Sequence, residues 1–130
     1  MIVIDASALV EVLVRSPSAA AVEASMFTPG QTFHAPHLID VEVAQAIGRY
    51  HASGEISGER GRAALTDLAD FPLRRWSHEF LLTRVWELRN NLTAYDAAYV
   101  ALAEALGCAL ITRDRRIAGA AGVRARIERV

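Results

Sequence analysis

Four acidic side chains, Asp5, Glu42, Asp96 and Asp114, are the residues of this sequence best placed to do chemistry together. Asp5 directly follows the apolar run Met1-Ile2-Val3-Ile4, and Asp114 stands two residues past Ile111-Thr112. Asp96 falls in the first turn of the helix that feeds this second run, and Glu42 one turn into a helix that follows a run at 32–35. Carboxylates brought to one place repel unless a cation neutralises them. Hard oxygen donors without cysteine or histidine at ligand spacing point to Mg²⁺ or Mn²⁺ rather than zinc.

Each acid also has an ordinary use. Asp5 and Asp114 can cap the helices that follow them. Asp96 stands three residues after Thr93, the spacing of a capping box with aspartate in place of glutamate. Asp40 and Glu42 lie at opposite borders of the apolar stripe Ile39, Val43, Ala46, Ile47 and Tyr50, so periodicity alone does not choose between them. His34 and His37 straddle Pro36 at a strand exit, which makes a poor metal pair.

The elements that must position these groups follow from the pattern of apolar runs and breakers. Strands are expected at 1–4, 32–35 (closed by Pro36), 73–76 and 109–112, with a possible edge strand at 123–130. Helices are expected at 6–15, from Ser16-Pro17 to about 26, at 38–53, from 57 or 58 to before Pro72, at 77–89 and at 94–106. The last of these has Thr93 as its N-cap and Gly107 as its C-cap, and a short helical turn is expected at 114–118. Strands alternating with helices predict βαβ units, hence an α/β domain with a mainly parallel central sheet flanked by helices. Such sheets place their sites outside the carboxyl ends of the strands, at a switch in strand order. All four acids belong to that edge.

The chain has 130 residues, enough for one domain, which is expected to span 1–130. Its 52% hydrophobic and 22% charged content is that of a globular protein. All 14 basic residues are arginine. Without lysine there is no Schiff-base chemistry and no lysine-bearing phosphate loop. The one cysteine, Cys108, lies in an apolar run and reads as a small buried hydrophobe. No segment has the length or apolarity of a membrane span or signal peptide, and the expectation is a cytoplasmic protein without a membrane partner.

A net charge of −1 conceals an uneven distribution. Residues 107–130 carry six arginines against two acids, a local +4, which leaves −5 on the remainder. Arg113, Arg115 and Arg116 flank Asp114, where they could grip phosphates or serve as a solvated, ion-paired face.

The ordered set Ile4-Asp5-Ala6-Ser7, Pro36 to Val43 (PHLIDVEV), Thr93 to Ala103 (TAYDAAYVALA) and Leu110-Ile111-Thr112-Arg113-Asp114 resembles PIN-domain proteins, and more narrowly the VapC toxins of bacterial toxin–antitoxin pairs. The resemblance covers essentially the whole chain. It implies a metal-dependent endoribonuclease cleaving structured or single-stranded RNA, with Asp5, Glu42, Asp96 and Asp114 as catalytic, metal-holding acids. It favours Glu42 over Asp40, which is kept as an outer contributor, and gives Ser7 the place of the family's small hydroxyl residue. The implied cofactor is Mg²⁺, with Mn²⁺ able to substitute. The implied partners are an RNA substrate gripped by Arg113, Arg115 and Arg116, a small cognate antitoxin, and a second copy in a homodimer. The alternatives are a PIN nuclease of RNA processing without an antitoxin, and a non-catalytic PIN-like binding module. An aspartate-dependent phosphatase is disfavoured, because Ser7 stands where its second aspartate belongs and its usual lysine is missing.

Overall fold

The computed structural model describes residues 1–130. The elements run β1 (Ile2–Ile4), α1 (Ala6–Val14), α2 (Ala19–Met26), β2 (Phe33–Pro36), α3 (Ile39–Ala52), α4 (Gly58–Asp70) and β3 (Leu73–Trp76). They continue with a 3₁₀ turn (Glu79–Leu81), α5 (Leu82–Glu87), α6 (Ala94–Leu106), β4 (Ala109–Thr112), α7 (Arg115–Ala118) and β5 (Ile127–Arg129). The five strands form one sheet in the order β3-β2-β1-β4-β5, and every pair is parallel.

This order fixes where a site can form. The chain steps from β1 outward to β2 and β3, then returns past β1 to build β4 and β5 on its other side. Right-handed crossovers place α1 to α4 on one face and α5 and α6 on the opposite face. The reversal falls between β1 and β4, paired in the register Ile4↔Ile111, so the residues leaving these strands, Asp5 and Thr112, emerge side by side. The central strands are buried on both faces, and their residues join one core with Leu9, Leu13, Val43, Ile47, Tyr99 and Leu102 from the helices. That is why the strands read as apolar runs without alternation. No helix is long and apolar enough to cross a membrane.

Four boundaries differ from the sequence reading. Pro36 belongs to β2 instead of closing it; it lies beyond Val3↔His34, the last pairing with β1, so its missing N–H breaks no bond of that ladder. Helix α2 starts at Ala19 because Ser16 first closes a tight turn, its Oγ accepting from the Ser18 N–H (3.2 Å) and its carbonyl from the Ala19 N–H (3.0 Å). The helix expected at 77–89 is split into the 3₁₀ turn and α5, which buries Leu81 and Leu88 while Phe80, Leu82 and Trp86 stay exposed. The edge strand is only Ile127–Arg129, since the preceding segment is tied to helices instead. The Arg124 N–H donates to Glu104 (2.8 Å), and Arg84 donates to the Gly122 carbonyl (2.6 Å).

Candidate active site

Asp5 is the best-held acid. As N-cap of α1 it accepts at Oδ1 from the Ala8 N–H (3.0 Å) and the Ser7 hydroxyl (2.7 Å), and at Oδ2 from the Thr112 hydroxyl. Capping and site-building are therefore the same act at this residue. Burial is the dominant influence on its acidity and pushes the carboxyl up to about 6, against the three hydrogen bonds that favour the charged form. Thr112, fully buried at the end of β4, also accepts from the Asp114 N–H (2.9 Å), so one hydroxyl links two of the acids. Ser7 links the same two strand ends, because its Oγ accepts from the Arg113 N–H (2.9 Å).

The other acids arrive on helices. Thr93 caps α6 by accepting from the Asp96 N–H (3.2 Å), which starts the helix where Asp96 is carried into the cleft. Asp96 is half-buried, and burial followed by the charge of Asp114 raises its carboxyl above the usual range. Glu42, on the first turns of α3, is raised by burial and by the charges of Asp96 and Asp5, with the Tyr99 hydroxyl opposing by donating to it over 3.2 Å. Tyr99 lies one turn beyond Asp96 on α6 and is buried. Asp114 caps α7 and is gripped by Arg116, whose Nη2 stands 2.7 Å from Oδ2; that pair holds its carboxyl below the usual range.

Asp5, Ser7, Glu42, Asp96, Asp114, Arg113 and Arg116 all line one cleft of about 670 Å³, a nucleotide-scale volume (~300–1,000 Å³ for small-ligand sites). Two sequence candidates do not. Asp40 projects from the other border of α3 into a two-pronged pair with Arg75 of β3 (Nε–Oδ2 2.7 Å, Nη2–Oδ1 2.8 Å), and it is not part of the cleft wall. Its partner on a neighbouring strand decides what periodicity could not. Arg115 is exposed on α7 and does not line the cleft, whereas Arg116, also exposed, reaches the cleft rim through its pair with Asp114.

Sequence reasoning missed Thr112, Tyr99, Glu11, Tyr50 and Arg49. Glu11 accepts from the Tyr50 hydroxyl (2.6 Å) and from the Ser16 hydroxyl, which ties α1 to α3 across the cleft. The Tyr50 hydroxyl is correspondingly pushed up to about 12, by burial first and by Glu11 second. Arg49 lies seven residues beyond Glu42 on the stripe of α3 that faces the cleft, a signal the sequence did contain.

The donor set suits a hard divalent cation. Asp5 is nearly dry and keeps a free lone pair on Oδ2, while Asp96 and Glu42 are carboxylates whose charge is unfavourable where they stand. A nearby cation relieves both conditions. No three of these side chains stand close enough together to form a ready-made metal cage, and Mg²⁺, which commonly keeps several of its waters, does not require one.

Comparison with known proteins adds a second line of evidence. The family model described as PIN domain matches residues 2–123. The chain is 43% identical to Ribonuclease VapC12 of Mycobacterium tuberculosis over 130 residues, 100% of this chain and 99% of that protein. Among solved structures it superposes on M. tuberculosis VapC20, described as a sarcin-ricin loop cleaving toxin, with a TM-score of 0.68 at 16% identity over 95% of this chain and 99% of that one. It also superposes on a toxin-antitoxin complex from Klebsiella pneumoniae with a TM-score of 0.62 at 21% identity, over 92% of each chain. At those identities the two structures speak for the fold alone; the sequence match speaks for descent. With its parallel five-stranded sheet and four acids around the β1–β4 crevice, the chain belongs to the PIN-domain family, among its VapC ribonucleases.

Proposed function

We propose that this protein is the toxin of a toxin–antitoxin module, a Mg²⁺-dependent endoribonuclease in which Mn²⁺ can substitute. The observation that carries the reading is the meeting of Asp5, Glu42, Asp96 and Asp114 from four elements in one cleft of a VapC-family chain. Asp5, Glu42 and Asp96 would hold the principal ion, directly or through water, with Asp114 completing the set. A bound ion there supplies an activated water and neutralises charge on the leaving oxygen of a phosphodiester.

The chain's own residues prepare the rest. Ser7, Thr112 and the Ala8 N–H hold Asp5 in one rotamer, and Tyr99 turns Glu42 toward the acids. Arg113 lies on the cleft wall, where its guanidinium can take a phosphate oxygen pair. Arg116 already neutralises Asp114 and lowers the repulsion felt by Asp96.

Two partners belong to the same reading. One is a small cognate antitoxin that covers the cleft, supported by the likeness to the Klebsiella complex. The other is a second copy of the chain, for which exposed Phe80, Leu82 and Trp86 offer an apolar face. The reading is tested by mapping RNA ends in cells expressing the protein without antitoxin, wild type against Asp5→Asn. New, recurrent ends in the wild type alone support it; identical end maps overturn it.

A further inference from the structure

Arg49 and Arg113 are the two arginines of the cleft wall that no acid engages. The ion pairs of the chain use Arg75, Arg84, Arg116 and Arg126, and neither the Arg49 nor the Arg113 side chain makes a hydrogen bond. Several acids of the same wall have other partners. Glu11 accepts from Tyr50 and Ser16, Glu55 from Ser53, and Asp114 from Arg116. Arg49 is exposed and Arg113 half-buried, so both guanidiniums are hydrated and free to exchange water for an anionic group that enters the cleft.

Their positions say what kind of anion. Arg113 follows β4 next to Asp114, at the acid cluster itself. Arg49 is seven residues along α3 from Glu42, and both face the cleft, so they are separated by about 10 Å along the helix axis. That is farther than one phosphate group reaches and is on the scale of a neighbouring nucleotide. The Tyr50–Glu11 bond holds this stretch of α3 against α1, so the wall that carries Arg49 is fixed.

We propose that Arg49, with Arg113 between it and the acids, forms a subsite for a non-scissile phosphate of a single RNA strand. This deepens the ribonuclease reading and rests on it for the direction in which the strand runs. Arginine suits the task because its planar fork takes two phosphate oxygens at once, and a chain without lysine has no other side chain for it. The contact reads backbone and not bases, so it adds affinity for any sequence.

The test is binding of a short fluorescent single-stranded RNA by the full chain in EDTA, which reads the subsite without requiring cleavage. Wild type is compared with Arg49→Ala, Arg49→Lys and, as a surface control on α4, Arg62→Ala. The expected result is a several-fold loss for Arg49→Ala, a smaller loss for Arg49→Lys and none for Arg62→Ala. The slope of log affinity against log salt should fall by about 0.7 for the one lost phosphate contact. A scan of RNAs with one phosphate at a time replaced by neutral methylphosphonate should find a position that weakens wild type and leaves Arg49→Ala unchanged. If Arg49→Ala binds like Arg62→Ala with an unaltered salt slope, the subsite is disproved. Cleavage of the same RNA in Mg²⁺ is scored separately. Loss of binding at Arg49 without cleavage by the wild type leaves the subsite standing and removes the nuclease reading; cleavage with unaltered binding does the reverse.

Discussion

The hydroxyl of Tyr99 donates to the Glu42 carboxylate over 3.2 Å, joining α6 to α3 across 57 positions of sequence. Tyr99 is buried and one helical turn from Asp96, so a single helix both contributes one acid and orients another. Replacing Tyr99 with Phe removes the donor while keeping the packing. The expected loss of stability is about 1 kcal/mol, the net worth of an ordinary hydrogen bond. The expected loss in kcat/KM is larger in proportion, ~10-fold, as for groups that orient metal-binding side chains. Urea denaturation and RNA cleavage measured side by side check the split. A variant as active as wild type would show that Glu42 needs no such support.

Thr112 makes the corresponding link between Asp5 and Asp114. Thr112→Val has nearly the same shape, but it strands a buried carboxylate oxygen and a backbone N–H. It should destabilise the fold by about 1–3 kcal/mol. It should also raise the Asp5 carboxyl further, moving the acid limb of the pH–activity profile upward. A profile that does not move would separate Thr112 from the acidity of Asp5.

The raised pKa of Asp5 makes a prediction about stability. Between its ordinary value of 3.8 and its folded value of about 6, the folded protein binds more protons than the unfolded chain. The stabilising contribution of protonated Asp5 is therefore fully present below about pH 4 and is lost as pH rises through 6. At pH 7.5 in EDTA, Asp5→Asn should be more stable than wild type, by up to about 3 kcal/mol for a shift of this size. The gap should close toward pH 4. Thermal or urea unfolding across that range reads it directly; a variant less stable than wild type at pH 7.5 would contradict the assignment of burial as the dominant cause.

The two border acids of α3 should behave oppositely. Asp40 is engaged by Arg75 at a part-exposed position, and such pairs contribute about 1 kcal/mol or less. Asp40→Asn should leave RNA cleavage within about two-fold of wild type at that modest cost in stability, whereas Glu42→Gln should remove most activity and leave the fold intact. Comparable activity losses in both variants would bring Asp40 back into the machinery.

What the sequence revealed and what it hid follow from the range of the interactions involved. Apolar runs bounded by breakers located β1, β4 and α6, because a buried parallel strand and a capped helix are local patterns. The strand-exit rule then put Asp5 and Asp114 on one edge. Periodicity could not separate Asp40 from Glu42, because the answer lies in Arg75, 35 positions away. Tyr50 and Glu11 meet across 39 positions, and Thr112 and Asp5 across 107. Such pairings come from sheet order and helix packing, which no local window contains. The split at 77–89 was hidden for a different reason: Leu81 and Leu88 are buried while the intervening Leu82 and Trp86 are not, a pattern that one continuous apolar face does not describe.

The central claim is that the acids of the β1–β4 crevice cut RNA with the help of a divalent cation. Its most direct test is cleavage of an end-labelled RNA by purified wild type and by Asp96→Asn, each shown to be folded, with Mg²⁺, with EDTA, and after adding back Mg²⁺ or Mn²⁺. The account predicts cutting by wild type in Mg²⁺, none in EDTA, recovery with either ion, and at least a ~100-fold loss in Asp96→Asn, as expected for a metal-holding residue. Cleavage at the same rate in EDTA, or by Asp96→Asn at the wild-type rate, would contradict it.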